Sequence, residues 1–304
     1  MNVLVRVIET ALPVLAALLL GMFCREKKFL SREGVEALKK VVINITLPAV
    51  LVNAFATAEY SVSSLTIPLL VFLLCCLGLV LGKMLSGVLK LGKLPAYLAT
   101  GFEAGMLGYA LFALLYPEEP ASKFAILDLG QTLFVFTLYK ALLSGKSGRQ
   151  AVVKDIVTSP IIWAIVAGVA LGASGLYGAM ASVGVSGILD SLTGFISAPT
   201  GMIILMAVGY DLDLKQIKWK ETGRFIALRL VSMAVLLAIL LVINRFLLGG
   251  IIHPGAAILL FLLPPPYVLP IFSDEEDQRA RLSSAISALT LVTMVLFAVM
   301  AVLV

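Results

Sequence analysis

Two short segments of this sequence combine a polar side chain with residues that interrupt a helix. In GFEAGMLGYALF, Glu103 lies between Gly101 and Gly105, and in LPPPYVLPIF, Tyr267 follows three consecutive prolines. A proline removes an amide donor and clashes with the carbonyl four residues earlier, so three in succession end a helix near Leu263. An interrupted helix exposes main-chain amides and carbonyls that can bind an ion or a polar solute. The predicted chemistry is therefore the binding of a solute.

Glu103 lies within an otherwise apolar run. Where such a run spans a membrane, an ionised side chain at mid-depth costs about 2.5–3.5 kcal/mol on the insertion scale and is usually retained for function. We therefore expect Glu103 to carry a coupling proton or to bind a cation. The alternative is a structural hydrogen-bond partner, and the sequence leaves both open.

A second polar group follows in the apolar run 122–143. Gln131 and Thr132 come three and four residues after Asp128, so the three side chains share one helical face. Asp128 either acts together with Glu103 or braces the interrupted segment. We expect Gln131 to contact a solute through a hydrogen bond.

The run 38–58 contributes Asn53, which follows the kink-forming Pro48. Asn53 is a candidate solute contact, although the kink is equally explained as architecture. Pro199 and Thr200 are the corresponding elements of the second half of the chain. Asp190 begins the run that contains them, and we expect it at a solvated helix end.

The sequence contains no constellation typical of an enzyme. The single histidine, His253, precedes Pro254 in a loop, and no HExxH, GxSxG or phosphate-loop motif occurs. We therefore predict no catalytic residues, no metal site and no cofactor, with H⁺ or Na⁺ as the coupling ion. The candidate binding residues are Asn53, Glu103, Gly105, Gly108, Asp128, Gln131, Pro264, Pro265, Pro266 and Tyr267.

The composition is that of a membrane protein. Of the 304 residues, 61% are apolar and 13% are charged, whereas soluble chains have about 45–50% apolar and about 25% charged residues. The net charge of +5 is spread over short loops rather than gathered in one patch, which argues against nucleic acid as a partner.

The basic residues occupy alternate gaps between the apolar runs. Only Arg6, Lys123 and Arg245 lie in the other gaps. Because Lys and Arg are retained on the cytoplasmic side of a bilayer, the odd-numbered spans exit into the cytoplasm and both termini face outward. The basic gaps contain Arg25, Lys27, Lys28, Arg32, Lys39 and Lys40; Lys83, Lys90 and Lys93; Lys140, Lys146, Arg149 and Lys154; Lys215, Lys218, Lys220, Arg224 and Arg229; and Arg279 and Arg281.

About 20 apolar residues cross a bilayer as a helix, which predicts an all-α membrane protein with ten spans. They form two five-helix halves, 1–152 and 153–304, and an odd number per half inserts the second copy upside down relative to the first. Interrupted helices at matching places, here spans four and nine, mark the solute site of many secondary transporters. The predicted spans are 5–24, 38–58, 65–86, 94–116, 122–143, 158–175, 183–210, 224–248, 255–272 and 281–304.

Five stretches of the sequence resemble the auxin efflux carrier family: LKKVVINITLPAVLVNAF, AGMLGYALF, DLGQTLFVF, LPPPYVLPIF and SSAISALTLVT. That family includes plant auxin exporters and bacterial permeases proposed for malate, malonate and related organic anions. The resemblance covers nearly the whole chain. It implies two inverted five-helix repeats with broken, crossing helices four and nine, the fold shared with bile acid symporters and some sodium/proton antiporters.

The resemblance also implies a mechanism. Spans 1, 2, 6 and 7 would form a scaffold and homodimer interface, and spans 3–5 and 8–10 a mobile transport domain. We therefore expect an elevator-type secondary transporter of a small organic anion, either a carboxylate or an auxin-like weak acid. Proton coupling is the expected mode, with sodium coupling or uncoupled facilitation as alternatives. The expected location is the plasma membrane, which is the inner membrane in a bacterium, and the partners are lipids and a second copy of the chain.

Overall fold

The computed structural model describes residues 3–58, 60, 62–88, 94–139, 142, 157–212, 219–267, 269 and 276–303. Every regular element in these ranges is helical, which confirms the all-α prediction. In the first half these are α1 Val3–Glu26, α2 Arg32–Val41, π1 Val42–Thr46, α3 Leu47–Ala56, α4 Val62–Val88, α5 Leu94–Leu98, π2 Ala104–Gly108, α6 Tyr109–Leu115, α7 Ser122–Phe134 and π3 Val135–Tyr139. In the second half they are α8 Pro160–Ala173, α9 Leu176–Ser182, α10 Ser186–Ser197, α11 Thr200–Asp211, α12 Trp219–Phe246, α13 Pro254–Leu262 and α14 Glu276–Leu303.

Four helical stretches in the described ranges are long and apolar enough to cross a membrane: Thr66–Val88, Ser186–Asp211, Thr222–Phe246 and Arg281–Leu303. A fifth candidate is the pair α8 and α9, which are bent by 60° at their junction. Three other predicted spans, the second, fourth and fifth, are divided into shorter α and π pieces. The ten-span inverted repeat therefore stays a prediction, and the predicted ends 140–143 and 268–272 lie mostly outside the described residues.

Proline and capping residues set several helix boundaries. Pro254 is at the first turn of α13, where its missing amide would have had no intrahelical partner. His253 is the N-cap of this helix, and its Nδ1 accepts a hydrogen bond of 3.0 Å from the amide of Ala256. The single histidine of the chain therefore has a structural role.

The chain divides into two compact units. The first contains the described residues within Met1–Leu65, Gly105–Ile126 and Val153–Leu212. The second contains those within Thr66–Ala104, Leu127–Val152 and Asp213–Val304. The division into halves at 152/153, and the scaffold with its transport domain, stay predictions.

Close helix packing defines the first unit. Helix α1 packs along α11, and a Cβ atom on Gly209 would collide with the carbonyl of Leu18. A Cβ atom on Gly21 would likewise collide with the carbonyl of Met206. Small residues that let backbones approach closely are the usual means of packing helices in a membrane.

Glycine also allows close helix packing in the second unit. A Cβ atom on Gly130 of α7 would collide with the carbonyl of Pro68 in α4. The hydroxyl of Thr100 donates to the carbonyl of Cys75 at 2.6 Å, and this bond fixes the chain after α5 against α4. These contacts hold the fourth-span interruption in place.

Candidate functional site

The interruption of the fourth span begins after Leu98, where α5 ends. Gly101 has a φ of +70°, a conformation that costs residues with a Cβ atom about 1–2 kcal/mol. A Cβ atom there would also lie 3.2 Å from Cδ and Cγ of Pro266. The positive φ therefore favours glycine at this position, and the close approach of Pro266 leaves little room for a Cβ atom.

The interruption of the ninth span follows α13, which ends at Leu262. Residues 263–266 are non-helical and buried, as the proline run predicts. The carbonyl of Pro266 accepts a hydrogen bond of 3.1 Å from the amide of Leu269. The described chain thus turns immediately after the prolines.

Glu103 joins the two interruptions within the second unit. Its amide donates to the carbonyl of Pro264 at 2.9 Å, and its Oε2 accepts from the amide of Tyr267 at 2.5 Å. The residue is 7% exposed. One residue therefore binds the interrupted ninth span through both its main chain and its side chain.

Asp128 and Gln131 connect α7 to the same place. Oδ1 of Asp128 accepts from Nε2 of Gln131 at 2.7 Å and from the hydroxyl of Thr132 at 3.0 Å. The other end of the Gln131 amide, Oε1, accepts from the amide of Phe102 at 3.3 Å. The predicted shared face is thus present in the structure, and it contacts the fourth-span interruption through the residue next to Glu103.

Arg229 does not lie in the loop that the charge pattern predicts for it. The charge pattern assigned it to a loop, but it lies inside α12 and is 2% exposed. Its guanidinium donates to the carbonyls of Leu98 at 2.7 Å, Gly101 at 2.9 Å and Leu263 at 2.7 Å. These carbonyls lie where α5 and α13 end, so one planar group satisfies the acceptors of both interruptions.

The sequence did carry a signal for Arg229. The predicted span 224–248 contains it, and an ionisable residue inside a span is by default a functional candidate. The charge pattern grouped Arg229 with the basic residues that precede it, although Arg224 of that group also lies in α12. The guanidinium also lies 5.7 Å from the centre of the Phe102 ring, a second contact with the fourth-span interruption.

Helix α14 supports the ninth-span interruption. The hydroxyls of Tyr267 and Thr290 are 3.1 Å apart, and Thr293 donates to the carbonyl of Leu262 at 2.7 Å. Tyr267 is therefore held at its amide by Glu103 and at its hydroxyl by α14.

Gly105 and Gly108 belong to the first unit. They lie in π2, and a Cβ atom on Gly105 would lie 3.4 Å from Cδ2 of Leu47. Tyr109, the first residue of α6, packs its ring on Phe124 with a distance of 5.0 Å between the ring centres.

Asn53 also lies in the first unit. Its Nδ2 donates to Oδ1 of Asp190 at 3.0 Å and to the hydroxyl of Thr193 at 3.3 Å. The hydroxyl of Tyr177 is 3.0 Å from both carboxylate oxygens of Asp190. Asp190 keeps part of its surface exposed, and its carboxylate also accepts hydrogen bonds from α3 and α9, which it links to α10.

The described residues contain no group of three His, Cys, Asp or Glu side chains arranged to hold a metal ion. Buried charge is also sparse there: Glu103, Asp128 and Arg229 are the buried charged residues among those described, and all three belong to the second unit. When all three are ionised, this set carries one excess negative charge.

Comparison with known proteins identifies the class. Residues 6–145 match the family described as membrane transport protein, which confirms the predicted resemblance over that range. A curated relative, an uncharacterized transporter from Methanothermobacter thermautotrophicus, is 28% identical over 218 residues, which cover 68% of each chain. Both findings support a membrane transporter, and a transporter family favours a non-enzymatic function.

Proposed function

We propose that the protein is a proton-coupled secondary transporter of a small organic anion, a carboxylate or an auxin-like weak acid. The observation that supports this most directly is the connection of the two interrupted spans through Glu103. Non-helical backbone at membrane depth is tolerated where it is buried in protein or lines a cavity, and transporters use it to bind solutes and coupling ions.

The buried charges support coupling to a single monovalent cation. Glu103 and Asp128 together carry two negative charges, and Arg229 compensates one of them. An uncompensated charge in an apolar interior is costly, so one proton or one sodium ion restores neutrality. We favour a proton over sodium because a proton binds at a single carboxylate oxygen of Glu103 or Asp128 and needs no further ligands.

The partial positive charge at the start of a helix supports an anionic solute. Helical structure resumes at Ala104, directly after the fourth-span interruption, and the first amides of a helix carry partial positive charge. The family resemblance points to the same class of solute. The same proposal includes alternating access of the elevator type and a homodimer formed by the scaffold spans. It also includes a plasma-membrane location with both termini outside.

Reconstituted protein tests the proposal. Purified protein in liposomes is loaded at one pH and diluted into radiolabelled malonate, malate or indole-3-acetate under a proton gradient, a sodium gradient or neither. We expect accumulation of at least one acid that follows the proton gradient and collapses when a protonophore is added. Accumulation that follows sodium would favour the sodium-coupled alternative, and equilibration without accumulation would favour a facilitator. No uptake of any acid would contradict the proposed solute class.

A further inference from the structure

The turn that joins α1 to α2 combines exposed basic side chains with an exposed aromatic ring. Lys27, Lys28 and Arg32 are exposed, and none of them forms an ion pair with a described residue. Phe29 lies between them in the sequence and is 76% exposed. Aromatic rings and basic side chains are both typical of the region where a membrane protein meets lipid headgroups.

The end of α1 fixes the conformation of this turn. The amide of Phe29 donates to the carbonyl of Cys24 at 2.9 Å, and the amide of Lys28 donates to the carbonyl of Arg25 at 3.2 Å. These two bonds form a Schellman motif, which ends a helix at a residue in the left-handed conformation. Lys28 occupies that position with a φ of +53°.

Two features distinguish this motif from its usual form. Its left-handed residue is commonly glycine, because a Cβ atom disfavours that conformation, but Lys28 occupies it here and is the only described residue other than glycine with a positive φ. The next residue commonly packs back on the helix, but Phe29 is largely exposed. A positive charge and an exposed ring thus lie at positions where the stability of the chain alone favours other arrangements.

Contacts with neighbouring helices hold the turn in place. Ser31 is the N-cap of α2, and its hydroxyl accepts a hydrogen bond of 3.1 Å from the amide of Gly34. The hydroxyl of Tyr210, in α11, donates to the carbonyl of Leu30 at 3.3 Å. Arg25 donates to the carbonyl of Tyr210 at 3.1 Å. The exposed side chains therefore project from a turn whose backbone is fixed within the first unit.

The charge of the turn favours an anionic partner. The segment 25–33 contains four basic residues and two acidic ones, Glu26 and Glu33, which leaves a net charge of +2. Lys39, which forms ion pairs with two carboxylates, adds no free charge nearby. Four or more basic residues next to the cytoplasmic end of a span are typical of binding sites for anionic lipid headgroups.

We propose that Lys27, Lys28 and Arg32 bind the headgroup of an anionic phospholipid in the cytoplasmic leaflet, with the ring of Phe29 inserted among the lipids. The headgroup phosphate accepts charge-assisted hydrogen bonds from the basic side chains, and the ring exchanges contact with water for contact with lipid. This site goes beyond the proposed transport function. It rests on the predicted orientation of α1 and is independent of the solute and the coupling ion.

Native mass spectrometry of the whole protein in neutral detergent tests the site, because it counts bound lipids. Dioleoylphosphatidylglycerol is titrated as the anionic lipid and dioleoylphosphatidylcholine as the zwitterionic one. The double variant Lys27→Gln/Arg32→Gln removes two basic side chains from the turn. The matched control, Lys83→Gln/Arg224→Gln, removes two exposed basic side chains from other regions of the predicted cytoplasmic side.

The wild type should bind the anionic lipid more tightly than the zwitterionic one. The Kd for the anionic lipid should rise about fivefold for each basic residue removed, and so about 25-fold in Lys27→Gln/Arg32→Gln. The control double variant should keep the wild-type Kd. Equal Kd values in the two double variants would overturn the site, and so would equal binding of the two lipids by the wild type.

Two further measurements separate a lipid from a free phosphate. Phe29→Ser should raise the Kd for the anionic lipid and leave Tm unchanged, because the ring is largely exposed. Inorganic phosphate at the same concentration should not displace the lipid. Displacement by inorganic phosphate, together with an unchanged Kd in Phe29→Ser, would overturn the assignment of the partner as a lipid.

Lys28→Gly separates a role in binding from a structural role. Glycine adopts the left-handed conformation more readily than lysine does, so we expect a Tm equal to or above that of the wild type. The Kd for the anionic lipid should nevertheless rise about fivefold, because one basic side chain is lost. A lowered Tm with an unchanged Kd would show that Lys28 supports the turn and would exclude it from the lipid site.

Discussion

The amide of Tyr267 donates a hydrogen bond of 2.5 Å to the carboxylate of Glu103, across a sequence separation of 164 residues. The Glu103 amide in turn donates to the carbonyl of Pro264. Hydrogen bonds to an ionised acceptor are roughly twice as strong as neutral ones. Protonation of Glu103 would therefore weaken its hydrogen bond to the ninth-span interruption. A proton could in this way change the structure of the site directly.

Glu103→Gln should abolish proton coupling while preserving the fold. The glutamine Oε1 can still accept the Tyr267 amide, but the side chain no longer ionises. We expect uptake by this variant to lose its dependence on the proton gradient, with a Tm within a few degrees of the wild type. Glu119→Gln is the matched control, because Glu119 is a partly exposed partner of Lys123. Retention of gradient-driven accumulation in Glu103→Gln would exclude Glu103 as the coupling residue.

Arg229→Met should be strongly destabilising. The change leaves the carbonyls of Leu98, Gly101 and Leu263 without their buried donor, and we expect a loss of about 3–5 kcal/mol in the free energy of unfolding. Arg229→Lys should lose less, because it keeps the charge but not the planar arrangement of donors. Thermal unfolding in detergent measures both.

Arg224→Met is the control for that series, since Arg224 is an exposed residue of the same helix. If Arg229→Met unfolds at the same temperature as Arg224→Met, the hydrogen bonds from the guanidinium to the three carbonyls do not contribute to stability.

Gly101→Ala should lower the free energy of unfolding for two reasons. The left-handed backbone accounts for about 1–2 kcal/mol, and the close contact with Pro266 adds to it. Gly249→Ala isolates the first cost, because Gly249 has a φ of +67° and nothing within 4 Å of its Cβ position. Thermal unfolding should rank Gly101→Ala below Gly249→Ala. Equal Tm values would show that the approach of Pro266 is not tight.

Much of the candidate site could be predicted from local chemistry. The proline run and the glycines identify interruptions because these residues act on the backbone wherever they occur. Glu103 and Asp128 were detectable as carboxylates in apolar runs. Their hydrogen-bond partners were not, because the 164-residue separation of Glu103 from Tyr267 is set by tertiary structure.

Other features had no clear sequence signal. The π turns at 42–46 and 104–108 differ from α-helix by one residue in hydrogen-bond spacing, which hydrophobic periodicity does not resolve. The sequence does not reveal the hydrogen bonds of Asp190 with Tyr177 and Asn53, because these bonds join separate helices. Arg229 was misassigned because the charge rule counts residues in loops and cannot recognise a cation whose partners are main-chain carbonyls.

The predicted orientation places both termini outside the cytoplasm. An epitope added at either end should be labelled by antibody on intact cells or spheroplasts without permeabilisation. An epitope engineered between Lys146 and Arg149 should be labelled only after permeabilisation. The reverse pattern would invert the topology, and labelling of only one terminus would exclude an even number of spans.

Simultaneous measurement of solute uptake and proton movement in liposomes tests the central claim most directly. A pH-sensitive dye inside the vesicles reports protons while radiolabelled acid reports the solute, for the wild type and Glu103→Gln at equal protein density. The account predicts proton movement that requires the solute in the wild type, and no solute-dependent proton movement in Glu103→Gln. Equal solute-dependent proton movement in both proteins would contradict it.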